Sequence, residues 1–255
     1  MKVTLLGTGT STGVPVPGCD CPVCLSNDPH NRRTRCSLLI GYREKNILID
    51  TATDLRQQSL REGVKRIDAV LYTHTHADHI HGIDDLRPFN HRDGIPLPLY
   101  ASADAAQAMR QNFSYIFSPQ DEKLYRPRLV VWPVGGPFSL FGLPVTPLRL
   151  VHGSGCSTGY RIGPIAYLTD CSAIPKAARL QLGNLKLLIL DALRFRPHSA
   201  HLNIAGAIAE AERINAGQTL LTHLSHDVDH DRHAQGLPAG IDFAFDGQTL
   251  QIMVD

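Results

Sequence analysis

Apolar residues in this chain come in short runs rich in Val, Ile, Leu and Tyr, and most runs stop at Gly, Pro, Asp or Asn. On that pattern Lys2–Leu6, Cys36–Ile40, Asn46–Ile49, Ala69–Tyr72, Leu97–Tyr100, Leu129–Trp132, Val145–Leu150, Ile165–Leu168, Leu187–Leu190, Thr219–Thr222 and Gln251–Val254 read as strands. Helical spacing marks three segments. Thr53–Arg61 stops at Gly63, and Ala103–Asn112 follows Ser102 as its cap. Asn203–Ile214 gathers Ile204, Ala207, Ile208 and Ala211 on one face. Strands dominate early, and strand and helix alternate later. That order predicts layered α/β architecture, with two packed sheets inside and helices outside. No repeat or low-complexity linker divides the chain, so residues 1–255 are expected to form a single domain.

Composition narrows the function. The 255 residues carry 25 Lys+Arg and 24 Asp+Glu, a net charge of +1, which argues against a nucleic-acid partner held by a basic field. No apolar run reaches the ~20 residues a bilayer span needs, and the first residues lack a secretory apolar core, so no membrane association is expected. The cysteine spacing is not that of a disulfide scaffold. Reduced thiols and a cytoplasmic location follow as expectations.

The strongest chemical signal is Thr73-His74-Thr75-His76-Ala77-Asp78-His79, directly after the apolar run Ala69–Tyr72. In extended chain His74 and His76 point the same way, and Asp78 and His79 follow as the chain turns. Imidazole and carboxylate are ligands for zinc, manganese or iron, and two pairs suggest two ions. Packing alone does not favour so many costly polar groups at the end of a buried strand. His152, Asp170 and His223 each stand just past another apolar run and are the natural further ligands. Separately, Cys19, Cys21 and Cys24 lie close together in a Gly/Pro-rich loop, three thiolates that suggest a structural zinc lacking a fourth ligand.

In order and spacing, His74-x-His76-x-Asp78-His79, His152, Asp170 and His223 resemble the metallo-β-lactamase superfamily over essentially the whole chain. The resemblance implies an αββα sandwich, two mixed β-sheets face to face with helices outside, and a dinuclear site at one edge. It implies that His74, His76 and His152 hold one metal, Asp78, His79 and His223 the other, and that Asp170 bridges them. The lactamases proper use a Cys near Cys171 and lack this form of the Asp78-His79 pair, so a dinuclear phosphoesterase-like hydrolase is favoured and Cys171 reads as a small buried hydrophobe. Within the superfamily, the start Leu6-Gly7-Thr8-Gly9-Thr10-Ser11, the Cys-x-Cys-x-x-Cys loop and Thr222-His223-Leu224-Ser225-His226 are most similar to the phosphodiesterases of the carbon–phosphorus lyase pathway (the PhnP family), enzymes of phosphonate metabolism. That likeness implies His226 as the fourth ligand of a Cys₃His zinc. It also implies a His proton donor in the loop before Asn203, His201 first and His198 second. A homodimer is expected by the same analogy.

The function expected is hydrolysis of a small phosphodiester, cyclic ones included, by water activated at two divalent ions (zinc or manganese, with iron a third option). Asp78 sits in that catalytic centre, and a His serves as general acid. Asp191, after Leu187–Leu190, reads either as the partner that orients the acid or as a solvated strand end. Competing readings are a tRNA 3′-processing nuclease, a glyoxalase II-like thioesterase or lactonase, and a non-catalytic metal-binding accessory protein. The nuclease lacks its Lys-rich insertion here, and the thioesterase lacks its C-terminal helical extension. Gly7-x-Gly9 with Gly13 departs from the dinucleotide fingerprint and reads as a tight turn whose amides could meet a phosphate. Asp229, His230, Asp231 and His233 read as solvated surface, as do Arg32, Arg33 and Arg35. His30, His81 and His91 find no evident partner in the sequence.

Overall fold

The computed structural model describes residues 1–90, 95–118 and 126–254. One mixed sheet holds β1 (Lys2–Gly7), β2 (Ser37–Tyr42), β3 (Lys45–Ile49), β4 (Ala69–Leu71), β5 (Leu97–Ala101) and β6 (Leu129–Pro133). The other holds β7 (Phe138–Leu140), β8 (Leu143–His152), β9 (Gly155–Ile162), β10 (Ile165–Leu168), β11 (Leu187–Asp191), β12 (Thr219–Thr222) and β13 (Ile241–Phe243). β14 (Thr249–Gln251) returns to the first sheet beside β1. The orders are β14-β1-β2-β3-β4-β5-β6 and β13-β12-β11-β10-β9-β8-β7. In each sheet one half is antiparallel and the other, β3–β6 or β10–β13, is parallel. Among the described residues no helix is long and apolar enough to cross a membrane.

The sheets face each other through Val3, Leu5, Ile40, Ile49 and Leu71 on one side and Val145, Tyr160, Ile162 and Tyr167 on the other. β11 shows why its sequence is unbroken apolar. Leu187 and Ile189 enter the layer between the sheets, while Leu188 and Leu190 enter the helix layer with Ile204, Ala207, Ala211 and Ile214. A strand covered on both faces needs no polar alternation. Helix Ile204–Ile214 is capped by the Asn203 side chain, which accepts from the Gly206 N–H at 2.9 Å, and ends at Asn215 in the left-handed region. Helix Ala103–Asn112 is capped by Ser102 as expected.

Three differences from the pattern have physical causes. The helix expected from Thr53 begins at Leu55, because the Asp54 carboxylate accepts from the Arg35 backbone and guanidinium and makes no cap bond. β9 is rich in Gly, Ser and Thr and carries little strand propensity; its pairing with β8 along its whole length forms it. The final strand is Thr249–Gln251, earlier than Gln251–Val254, since its register is set by pairing Lys2 with Gln251. β7 and β13 are only three residues long, too short for a period to show.

Gly7 ends β1 where the chain passes against Arg35. A Cβ there would lie 2.0 Å from the Arg35 carbonyl oxygen, a backbone atom that cannot swing aside. The amides of Thr8, Gly9, Thr10 and Gly13 are all bonded to protein acceptors, Asp246, Thr34, Leu224 and Thr10 respectively. The turn thus packs the N-terminal loop, and these four amides are already taken by protein acceptors. Gly7→Ala should cost at least about 1–3 kcal/mol, the scale of overpacking, read as a lower denaturation midpoint with an unchanged slope.

Candidate metal centre

The polar residues converge where the parallel halves of both sheets end, the edge at which α/β folds present ligands. After β4, Thr73–His76 runs extended, and His76 precedes a single helical turn, Ala77–Ile80, that carries Asp78 and His79. The Thr158 N–H of β9 donates to the Thr73 carbonyl at 2.8 Å and ties this loop to the opposite sheet. Asp170 follows β10, His152 ends β8, and His223 follows β12.

Asp170 is the hub. Its Oδ1 lies 3.2 Å from His79 Nε2. Its Oδ2 lies 3.5 Å from His223 Nε2, 3.7 Å from His74 Nε2 and 3.9 Å from His152 Nε2. His152 Nε2 is 3.3 Å from His76 Nδ1, and Asp78 Oδ2 is 3.3 Å from His79 Nε2 and 3.8 Å from His223 Nε2. Two donor groups result, His74, His76, His152 with Asp170, and Asp78, His79 with His223. All seven residues expected from the sequence are thus brought together.

The hydrogen bonds around the cluster choose which nitrogen faces inward. Thr73 Oγ1 donates to Asp50 and accepts from His74 Nδ1 at 3.0 Å. His79 Nδ1 donates to Asp50 at 2.7 Å, and His152 Nδ1 donates to the Ala200 carbonyl at 2.9 Å. Each bond leaves Nε2 pointing into the cluster, the usual outer support of a metal-binding imidazole. His74 Nε2, Asp78 Oδ2, His79 Nε2 and His223 Nε2 are buried without any hydrogen-bond partner. So many orphaned polar atoms at one spot are what a cation would satisfy, and the donor set fits divalent ions.

Asp50 went unnoticed in the sequence. It stands just past an apolar run, the same signal that marked Asp170. It also accepts from the Thr73 N–H at 2.8 Å and is fully buried. Asp50 (φ 61°), Asp170 (φ 53°) and His223 (φ 62°) all adopt left-handed backbone within two residues of a strand's end, and such strain gathers at functional sites. Two serines brace the two aspartates alike. Ser37 Oγ donates to the Asp50 carbonyl and Ser157 Oγ to the Asp170 carbonyl, both at 2.8 Å.

Charge in the cluster is uneven. Burial would raise Asp170, but the His223 and His79 imidazoles hold it well below the usual carboxylate range. Burial would lower His79, but Asp170 and Asp50 hold it well above an ordinary imidazole, and Asp170 and Asp78 bring His223 up to about 9 against the same burial. Burial and neighbouring imidazoles hold His74 and His76 down. The His74 and His76 imidazoles are thus pushed toward the neutral form and those of His79 and His223 toward the protonated form, so protons stand where cations would neutralise the carboxylates.

His201 also reaches the cluster. Its Nδ1 bonds Asp191 Oδ2 at 3.1 Å, its Nε2 lies 3.9 Å from Asp170 Oδ2, and its ring stacks on His223 with centroids 4.6 Å apart. Asp191 is fully buried and also accepts from the Cys171 and Leu202 N–H groups, so it orients His201 and is no solvated strand end. His198 is exposed, its ring 5.1 Å from His201. Cys171 is a buried thiol, as expected of a small hydrophobe.

A second cluster forms as anticipated. His226 Nδ1 lies 3.3 Å from Cys19 Sγ and 3.5 Å from both Cys21 Sγ and Cys24 Sγ. Tetrahedral zinc with Zn–S of ~2.3 Å and Zn–N of ~2.0 Å needs about that spacing. A hydrogen bond from the Cys24 backbone lowers Cys21 to about 7, while burial raises Cys24 to about 11. Arg33, expected on the surface, is instead almost wholly buried and donates to the Ser225 and Val228 carbonyls on either side of His226. His30 and His230, expected to be unpartnered and solvated, meet each other with tilted rings whose centroids are 4.5 Å apart. His81 meets Phe113 edge-on, and His91 lies outside the described residues.

A cavity of about 620 Å³ opens beside His74, lined by Thr75, Ser102, Asp104, Arg149 and Thr158 among others. The Arg149 guanidinium forms no ion pair or hydrogen bond among the described residues.

The sequence profile of the beta-lactamase superfamily domain matches residues 45–224. A crystal structure described as a new diphosphatase from the PhnP family is 44% identical, with a TM-score of 0.92 over 98% of this chain and 96% of that one. An octanoyltransferase of Porphyromonas gingivalis is 41% identical over 100% of this chain, which spans only 52% of that protein's length. The short form of human tRNase Z, 20% identical with a TM-score of 0.72 over both full chains, shares the fold.

Two outcomes test the centre. Asp50→Asn removes the charge that fixes His79 and should weaken metal retention about 10–100-fold, measured by competition with a chelator. Cation binding beside His79 and His223 must displace protons, so affinity should rise with pH through the His223 value of about 9. Calorimetry in buffers of different ionisation enthalpy should show the released protons.

Proposed function

The chain belongs to the beta-lactamase superfamily and is a metal-dependent hydrolase, and from that premise we propose that it hydrolyses a small phosphodiester, cyclic ones included. The observation that carries this reading is the placement of Asp170, one of whose oxygens faces His79 while the other faces His74, His152 and His223. A carboxylate so placed suits a bridge between two ions, the first held by His74, His76 and His152 and the second by Asp78, His79 and His223. Zinc, manganese or iron suits these donors, and a structural zinc suits Cys19, Cys21, Cys24 and His226. Divalent ions bound at the centre would polarise a phosphoryl oxygen and bring the pKa of water toward neutrality.

The chain's own groups supply the rest. His201 is the general acid: Asp191 takes its Nδ1–H and fixes the ring, which leaves Nε2 to deliver a proton to the departing alkoxide. His198 is too exposed to share that role, since nothing around it excludes water. Arg149, without an ion pair or hydrogen bond among the described residues, lines the adjoining cavity and favours an anionic substrate. A second reading at the same centre, scission of a diphosphate linkage, is favoured by the likeness to the PhnP-family diphosphatase. That likeness also supports a place in phosphonate metabolism, and six free cysteines support a reducing compartment such as the cytoplasm.

His201→Ala should slow an alkyl leaving group by ~10²–10⁴-fold and p-nitrophenolate, which needs no proton, far less. Equal losses on both would reject the acid role. Zinc- or manganese-loaded protein should hydrolyse bis-p-nitrophenyl phosphate and 2′,3′-cyclic nucleotides; turnover of a thioester alone would overturn the phosphodiester reading.

A further inference from the structure

We propose that His30, His230 and Asp231 form a further divalent-metal site, suited to a borderline ion such as zinc or nickel and separate from both clusters above. One donor atom from each of the three lies within 4.8 Å of the others. The residues come from two distant segments, the turn Pro29–Asn31 and the helix His230–Ala234. Asn31 joins those segments without any ion. Its Oδ1 accepts from the His230 N–H at 2.9 Å, and its Nδ2 donates to Asp229 Oδ2 at 3.4 Å. The donors are thus gathered beforehand, which lowers the ordering cost of binding.

Two orphaned atoms point to a ligand. His230 Nδ1 is buried and makes no hydrogen bond, and the same is true of Asp28 Oδ2. Asp28 is beside His30: its Oδ1 accepts from the His30 N–H at 2.9 Å and lies 3.7 Å from His30 Nδ1. It is placed to orient the His30 ring, as carboxylates do behind metal-bound imidazoles. Burial, with the His30 and Arg33 charges, holds His230 below an ordinary imidazole. Arg33 disfavours a cation here, and Asp28 and Asp231 oppose it. Phe245 packs on His30 at 4.3 Å and on His230 at 5.9 Å, which aligns the rings and satisfies no ring nitrogen.

Two imidazoles and one carboxylate select a borderline ion over calcium or magnesium. Asp231 is exposed, so water completes the shell and the ion exchanges more readily than one at Cys19, Cys21, Cys24 and His226. The same two chain segments carry both sets, so the site is a second clasp between them.

The test counts zinc on the whole protein by mass spectrometry across a titration of free zinc to about 100 μM, in wild type, Asp231→Asn and His30→Ala/His230→Ala. Wild type should hold one equivalent more than the double variant, and Asp231→Asn should weaken that last equivalent about tenfold. After cobalt loading, the thiolate-to-cobalt absorption, which reports the cysteine cluster alone, should be equal in wild type and Asp231→Asn. Equal zinc counts throughout, or unchanged affinity in Asp231→Asn, overturn the site. Asp231 is on the surface, so that variant decides the matter if the double variant does not fold.

Discussion

A carboxylate buried as completely as Asp170 has to be neutralised where it sits, because an isolated charge in a protein interior costs several kcal/mol. Here the compensation comes from imidazoles on three other strand ends. His74 and His79 follow β4, His152 closes β8 and His223 follows β12. Both sheets must be complete and face to face before these groups meet. The layered core is therefore the frame that sets the cluster's distances, and the left-handed turns at Asp50, Asp170 and His223 aim each side chain off the end of its strand.

The two aspartates braced by serines show how one local design yields two chemistries. Both follow a strand, both are left-handed, and both have their carbonyls held by a serine from the neighbouring strand. Asp50 then gives both oxygens to Thr73 and His79 and becomes a support. Asp170 keeps its oxygens facing the histidines and remains available to cations. What differs is the neighbouring chain: Thr73 offers an N–H and a hydroxyl to Asp50, whereas Asp170 receives only the Thr169 hydroxyl.

Much of this was legible in the sequence because buried strands and metal ligands are both written locally. The runs ending before His74, Asp170 and His223 gave the strands and the ligands together. β9 was not legible, since Gly155–Ile162 is a strand only by virtue of β8 beside it. Arg33 misled for a similar reason. Composition places arginine outside, but the Ser225 and Val228 carbonyls and the Asn31 side chain take up its guanidinium, and only the fold brings the two carbonyls to it. His226 needed the resemblance, because a histidine some two hundred residues from the thiols has no signal of its own.

The pairing of β1 with β14, and the Asp246 carboxylate that takes up the amides of Thr8 and Thr34, bear on how the protein is made. β1 is synthesised well before β14, its outer neighbour in the sheet. The first sheet is therefore completed only by a pairing between segments far apart in the chain, a contact whose loop-closure entropy makes it slow to form.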